Sequence, residues 1–384
     1  MKIENYKEDW PRAQERMKAW WKGELLDRVA LQVRAPKEGE EKEEVPSPET
    51  VEKRWLDYDY RMKKWKQDLK TTFWGGEAFP LFGPNLGPDV FASFFGAELE
   101  FPDDQTSWVS PIIDSWEERP ELELDRDNYW WRKQVELVER AMEEGGNEGK
   151  WITGIPDTHS GADALAALRG RNDLSVDLYR NPEEVRQAMD ELERAVLEIY
   201  EEYFSLVEPQ RWGSSSGWLP AWNEGKTNVV QADYIALISP EMTEEFFLES
   251  IVAEARWLDH AVFHLDGPDA VDKLDLLLDV PDIEAVQWVP GAGNHPMTDW
   301  LPLLKRVQEA GKSLHLSLES VRADGSGSSY PGEAEAPLYP NYDVAEKLIK
   351  ELEPGGLMLN TYCSFEEDAR QLLEKVEEWT DKYC

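Results

Sequence analysis

The sequence predicts an α/β protein: a (β/α)8 TIM barrel with an N-terminal helical extension. Three observations predict it. From Tyr129 onward, short apolar strand-like runs alternate with amphipathic helical stretches, the pattern of parallel β-α units. No GxGxxG or Walker-type phosphate loop supports a doubly wound nucleotide fold instead. Reactive side chains gather at the C-terminal ends of the strand-like runs, where a barrel carries its chemistry.

The elements follow in order. Glu8 to Lys22 reads as a helix, with Trp10, Met17, Trp20 and Trp21 near helical spacing and Pro11 in its first turn. Val29 to Val33 is a short strand, and Pro48 to Lys70 a second helix. Residues 1–72 therefore read as an extension packed on a barrel formed by 73–384. From Phe73 to Asp114, Gly and Pro punctuate a loop-rich stretch interleaved with aromatic rings, a candidate cover for a pocket.

The alternation then begins. Helix Tyr129–Gly145 precedes strand Lys150–Ile155 and helix Ala162–Arg169. A long helix opens at Asn181-Pro182-Glu183-Glu184, where Asn181 suits an N-cap and the acids complement the helix dipole. Strand Val229–Ala232 and a helix capped by Ser239-Pro240-Glu241 come next. Strands Ala261–Leu265, Ala285–Val289, Ser313–Leu318 and Gly356–Thr361 alternate with helices Ala270–Leu278, Thr298–Ala310, Tyr342–Glu351 and Ser364–Tyr383.

Composition narrows the function. The net charge of −38, from 79 acidic against 41 basic residues, repels nucleic acid and anionic membranes. Two cysteines, Cys363 and Cys384, make no disulfide scaffold. The N-terminal residues lack the apolar core of a signal peptide, and no run approaches the roughly 20 apolar residues of a membrane span. The expectation is a soluble cytoplasmic protein acting on a small molecule.

The most telling segment is Ala261-Val262-Phe263-His264-Leu265-Asp266-Gly267. Strand geometry puts His264 and Asp266 on one side. The other strand ends supply Asp157 and His159; Gln231 and Asp233; Gln287, Trp288 and, beyond them, His295; His315 and Glu319; and Tyr362 with Cys363. Three chemistries compete. In one, His264, Cys363 and either Asp266 or Glu319 hold a zinc ion with one position open. Such an ion makes a substrate thiol or hydroxyl nucleophilic at neutral pH. Beside that ion, Asp157, His159, Asp233 and His315 would position substrate or move protons. In another, no metal is present, and Asp157, Asp233 and Asp266 with the histidines act as acid–base groups, as in a lyase or decarboxylase acting on a small carboxylated substrate. In the third, an aromatic-lined pocket only binds its ligand. Gln231, Gln287, Trp288 and Tyr362 are the candidate substrate contacts.

Several segments resemble the uroporphyrinogen decarboxylase-like superfamily, which includes corrinoid-linked methyltransferases. They are Asp163 to Gly170 with Leu174, Asp177 and Leu178; Asn181-Pro182-Glu183-Glu184-Val185; Gln231-Ala232-Asp233-Tyr234 leading to Ser239-Pro240-Glu241-Met242; Phe263 to Gly267; and Gly356 to Cys363. The resemblance implies a (β/α)8 barrel. It also implies a methyltransferase whose His-x-Cys element and distant cysteine bind zinc. His264 matches the histidine and Cys363 the distant cysteine, while Asp266 stands where the nearer cysteine is expected. The arginine-rich porphyrin-binding motif of the decarboxylase branch is absent. A corrinoid methyl donor would arrive on a partner protein.

Overall fold

The computed structural model describes residues 2–291, 296–322, 326–328 and 336–384. The protein is mixed α/β, with seven longer strands that pair mostly in parallel. Its strands are β1 (Ala30–Pro36), β2 (Thr72–Gly76), β3 (Thr227–Gln231), β4 (His260–Asp266), β5 (Ile283–Val289), β6 (Ser313–Ser317) and β7 (Leu357–Tyr362). The chain forms two compact units. One comprises Met1–Glu44, Lys64–Pro80 and Glu284–Cys384, and the other Val45–Lys63 and Leu81–Ile283.

In the first unit the strand order is β2-β1-β7-β6-β5. β1 lies parallel to β7, with Ala30 opposite Met358 and Arg34 opposite Tyr362. Only β2 runs antiparallel, against β1. The N-terminal residues, expected as an extension, thus supply a strand of the main sheet. A glycine makes the β2 end possible: Gly76 has φ +60°, and a Cβ there would strike the Leu31 carbonyl. The chain then delivers Glu77 to the core, where its carboxylate pairs with Arg28 at 2.9 Å and accepts the Leu31 N–H at 2.7 Å. A buried acid persists only with such partners. The helix Trp10–Trp21 buries Trp10, Met17, Trp20 and Trp21, matching its apolar spacing. Trp20 Nε1 donates to the Leu314 carbonyl at 3.1 Å, fixing that helix on β6.

In the second unit β3 and β4 pair in parallel, with Thr227 opposite His260 and Gln231 opposite His264. Shorter parallel pieces accompany them. Leu81–Phe82 pairs with Ile152–Thr153, and Ile155 bridges Ser216. Gly83 and Gly154 both abut the backbone of Gly217, so a side chain on either would collide with it. The expected strand Lys150–Ile155 is thereby cut to two residues. Among the described residues the strand pairings do not close into a ring of eight, and the mixed α/β arrangement is compatible with a TIM-barrel-like fold.

Other expectations shift locally. The helix expected over Pro48–Lys70 breaks at Asp57 into Val51–Leu56 and Tyr58–Thr71. Asp57 is extended there, and its carboxylate accepts the Tyr60 N–H at 3.0 Å, a capping geometry. Asn181 makes no capping bond; its amide donates to Asp177 at 2.6 Å instead. Ser239 does cap its helix, accepting from Met242 N. In the second unit, the aromatics expected to cover a pocket pack inward: Phe82, Phe91, Phe94 and Phe95 are buried, and Phe94 meets Trp131 edge-on at 5.3 Å.

Candidate active site

Three successive chain segments of the second unit build a polar cluster. The stretch after Ile152–Thr153 carries Asp157, Thr158, His159 and Ser160, all buried except half-buried His159. The helix Gly161–Arg169 follows at once. Asp163, in its first turn, is buried, and its two carboxylate oxygens accept the backbone N–H groups of Asp233 at 2.9 Å and Tyr234 at 2.7 Å. These bonds pin the short 3-10 turn Asp233–Leu237 that follows β3. The last residue of β3, Gln231, donates Nε2 to Asp157 Oδ1 at 2.5 Å. Register then sets the other side: Gln231 is the cross-strand partner of His264 on β4. His264 Nε2 lies 3.9 Å from Asp233 Oδ1, an oxygen that is buried and accepts no hydrogen bond from the described residues. Trp218 meets the His264 ring edge-on at 5.2 Å.

The cluster is crowded with acids, and its titration reflects that. Burial raises the Asp157 carboxyl, against the pull of His159 and the Gln231 bond. Burial and then Asp163 raise Asp233, against His264 and His159. Burial also raises Asp266, opposed by His264. Burial alone would lower His159, but Asp157, Asp163, Asp233 and Asp89 outweigh it and hold the imidazole above its ordinary value. All four shifts run toward the protonated form, the three carboxyls chiefly through burial and the imidazole through the acids around it.

Two groups of side chains could hold a metal ion among the described residues: Asp233, His264 and Asp266, and His159, Asp163 and Asp233. Within each, one ligand atom per residue lies within 4.8 Å of the others. Asp157, His159, Gln231, Asp233, His264 and Asp266, each singled out from sequence, therefore share one neighbourhood. The remaining candidates belong to the first unit. His315 is fully buried, its ring 6.2 Å from Trp20. Trp288 is fully buried against Trp300, with ring centroids 4.8 Å apart, and Gln287 is buried. Tyr362 is half-buried and Glu319 exposed. Cys363 is fully buried, and burial followed by Asp368 pushes its thiol up to about 12. Neither Cys363 nor Glu319 enters either metal-competent group. His295 lies outside the described residues.

Sequence reasoning missed Asp163, Asp89 and Trp218. Asp163 sits at the start of an Ala- and Leu-rich helix and reads there as a dipole-complementing acid. Its bonds to the 233–234 backbone are long-range and leave no local pattern. Asp89 accepts the Val109 N–H at 3.3 Å, and burial raises its carboxyl against the pull of His159.

No protein-family model matches the sequence, and no curated protein matches it either. Among solved structures, the chain is similar to a methyltransferase from Methanosarcina mazei, with 15% identity and a TM-score of 0.58 over 96% of this chain and 98% of that one. At that identity the likeness establishes the fold. The homocysteine methyltransferase MmuM from Escherichia coli, in its apo form, also matches, with 15% identity over 54% of this chain and 88% of that one. Its TM-score of 0.26 carries no argument. No helix among the described residues is long and apolar enough to cross a membrane.

Proposed function

We propose that this protein is a metal-assisted methyltransferase acting on a small nucleophile. The observation that carries the reading is the convergence of Asp233, His264 and Asp266 donor atoms within 4.8 Å. An imidazole with two carboxylates fits zinc or a similar divalent ion. Asp233 Oδ1, buried and without a hydrogen bond from the described residues, is the oxygen that gains most from a cation. A bound ion of this class lowers the pKa of a coordinated thiol or hydroxyl.

The chain's own residues do the rest. Asp163 holds the backbone that presents Asp233. Gln231 orients Asp157, whose carboxyl burial raises, at the edge of the site. His159, held in its cationic form to higher pH, binds an anionic part of the substrate. The solved methyltransferase with the same fold supports the choice of methyl transfer, and the resemblance in the sequence supports a corrinoid on a partner protein as donor. The liganding role proposed for Cys363 and Glu319 passes to Asp233.

A second reading, a metal-free lyase or decarboxylase, is favoured by His159 itself: an imidazole whose pKa the surrounding acids raise suits a carboxylated substrate. Metal analysis of protein purified without chelator separates the two. About one ion per chain, lost in His264→Ala, supports the first. A folded wild type without metal, yet active, supports the second. Ligand-induced stabilisation without turnover would leave a binding module.

A further inference from the structure

Glu254, on the helix Leu248–Trp257, is 2% exposed, and neither chemistry above uses it. Both of its oxygens are engaged. Ser160 Oγ donates to Oε1 at 2.7 Å, and the Tyr200 hydroxyl donates to Oε2 at 2.9 Å. Tyr200, fully buried, also lies 3.3 Å from Thr158 Oγ1. Thr158 and Ser160 are the two neighbours of His159 in the chain. One carboxylate therefore ties down the residues on both sides of the imidazole, directly at the Ser160 hydroxyl and through the Tyr200 hydroxyl at that of Thr158. The next residue, Gly161, has φ +52°, and a Cβ there would lie 3.1 Å from Ser250 Oγ and 3.9 Å from Glu254 Oε1. The segment thus runs close against the helix that carries Glu254.

We propose that Glu254 is a positioning residue that fixes the Asp157–Ser160 segment and so sets the place of His159 at the strand ends. A leucine would fill that helix position without the penalty of a buried carboxyl, so the acid has to be explained by what it holds. The proposal rests on the functional reading above only in taking His159 as a working group.

The test follows the imidazole itself. The His159 Hε1 resonance, identified by its loss in H159N, is recorded at one pH on metal-free protein for the wild type, E254L, E254Q and Y200F. The expected result is a displaced and broadened signal in E254L, an intermediate signal in Y200F and a largely restored one in E254Q, whose amide can still bond both hydroxyls. A His159 signal in E254L that coincides with wild type, beside a lowered melting temperature, would overturn the proposal in favour of a purely structural acid. If E254L does not fold, Y200F and S160A decide: an unmoved resonance in both overturns it. The readout needs neither metal nor turnover, so failure of the metal assay leaves this result to stand by itself.

Discussion

In the second unit, β3 and β4 end in Gln231, Asp233, His264 and Asp266, and all but Gln231 are half-buried. In the first unit, β6 and β7 lead to His315 and Cys363, and both are 0% exposed. All but Gln231 are of types acceptable as zinc ligands. Their surroundings make them different chemical objects. His264 has an acid at 3.9 Å and a partly open position, whereas His315 has Trp20 against its ring. Asp233 shares its space with Asp163, His264, His159 and other titratable groups, whereas Cys363 is dry enough that its thiol holds its proton up to about 12. A metal ligand must be deprotonated and reachable, and burial decides both.

The largest effect that would break this contrast comes from exchanging the two sets. His264→Ala is expected to abolish metal retention, with affinity falling at least about 100-fold, whereas Cys363→Ser leaves metal content unchanged. Loss of metal in the cysteine variant alone, measured by elemental analysis, would reverse the assignment.

Asp233→Asn comes next. It should weaken metal binding by roughly 10- to 100-fold. It should also raise the melting temperature of the metal-free protein, because it removes a carboxyl that burial and Asp163 disfavour in its charged form. Opposite signs in calorimetric titration and thermal melting would show an acid placed for a ligand rather than for the fold.

Glu254 gives a pH test. Burial lifts its carboxyl to about 7 from 4.5, opposed by the Ser160 and Tyr200 bonds. The folded chain therefore binds more protons than the unfolded one between those values. The contribution is fully present below pH 4.5 and fades as pH rises through 7, a loss on the order of 3 kcal/mol across the window. Denaturant midpoints measured from pH 4 to 8 should fall more steeply in wild type than in E254Q. The smallest effect belongs to Glu319→Ala, an exposed position where stability should change by no more than about 0.5 kcal/mol and metal content not at all.

Much of this was legible in the chain. The alternation after Tyr129 yields most of the strands and helices, though the strand expected over Lys150–Ile155 shrinks to Ile152–Thr153 and the helix expected from Ser239 breaks at Phe247, because hydrophobic periodicity is a local property. The Phe263-His264-Leu265-Asp266 pattern marks the site because period-two geometry carries both side chains to one face. Helix breaks were less legible: Asp57 interrupts an unbroken periodic pattern through its own capping bond.

The sequence by itself determined the element types, the acidic surface and the enrichment of ligand-type residues at strand ends. These follow from residue order over a few positions at a time. Tertiary structure alone decided that β1 joins the main sheet and that Asp163 reaches the 233–234 backbone. It also decided that Glu254 grips both flanks of His159, and that Cys363 lies dry while Asp233 gathers two histidines and three acids around it. Burial and partner choice depend on chain segments up to some hundreds of residues apart, and no local pattern encodes them.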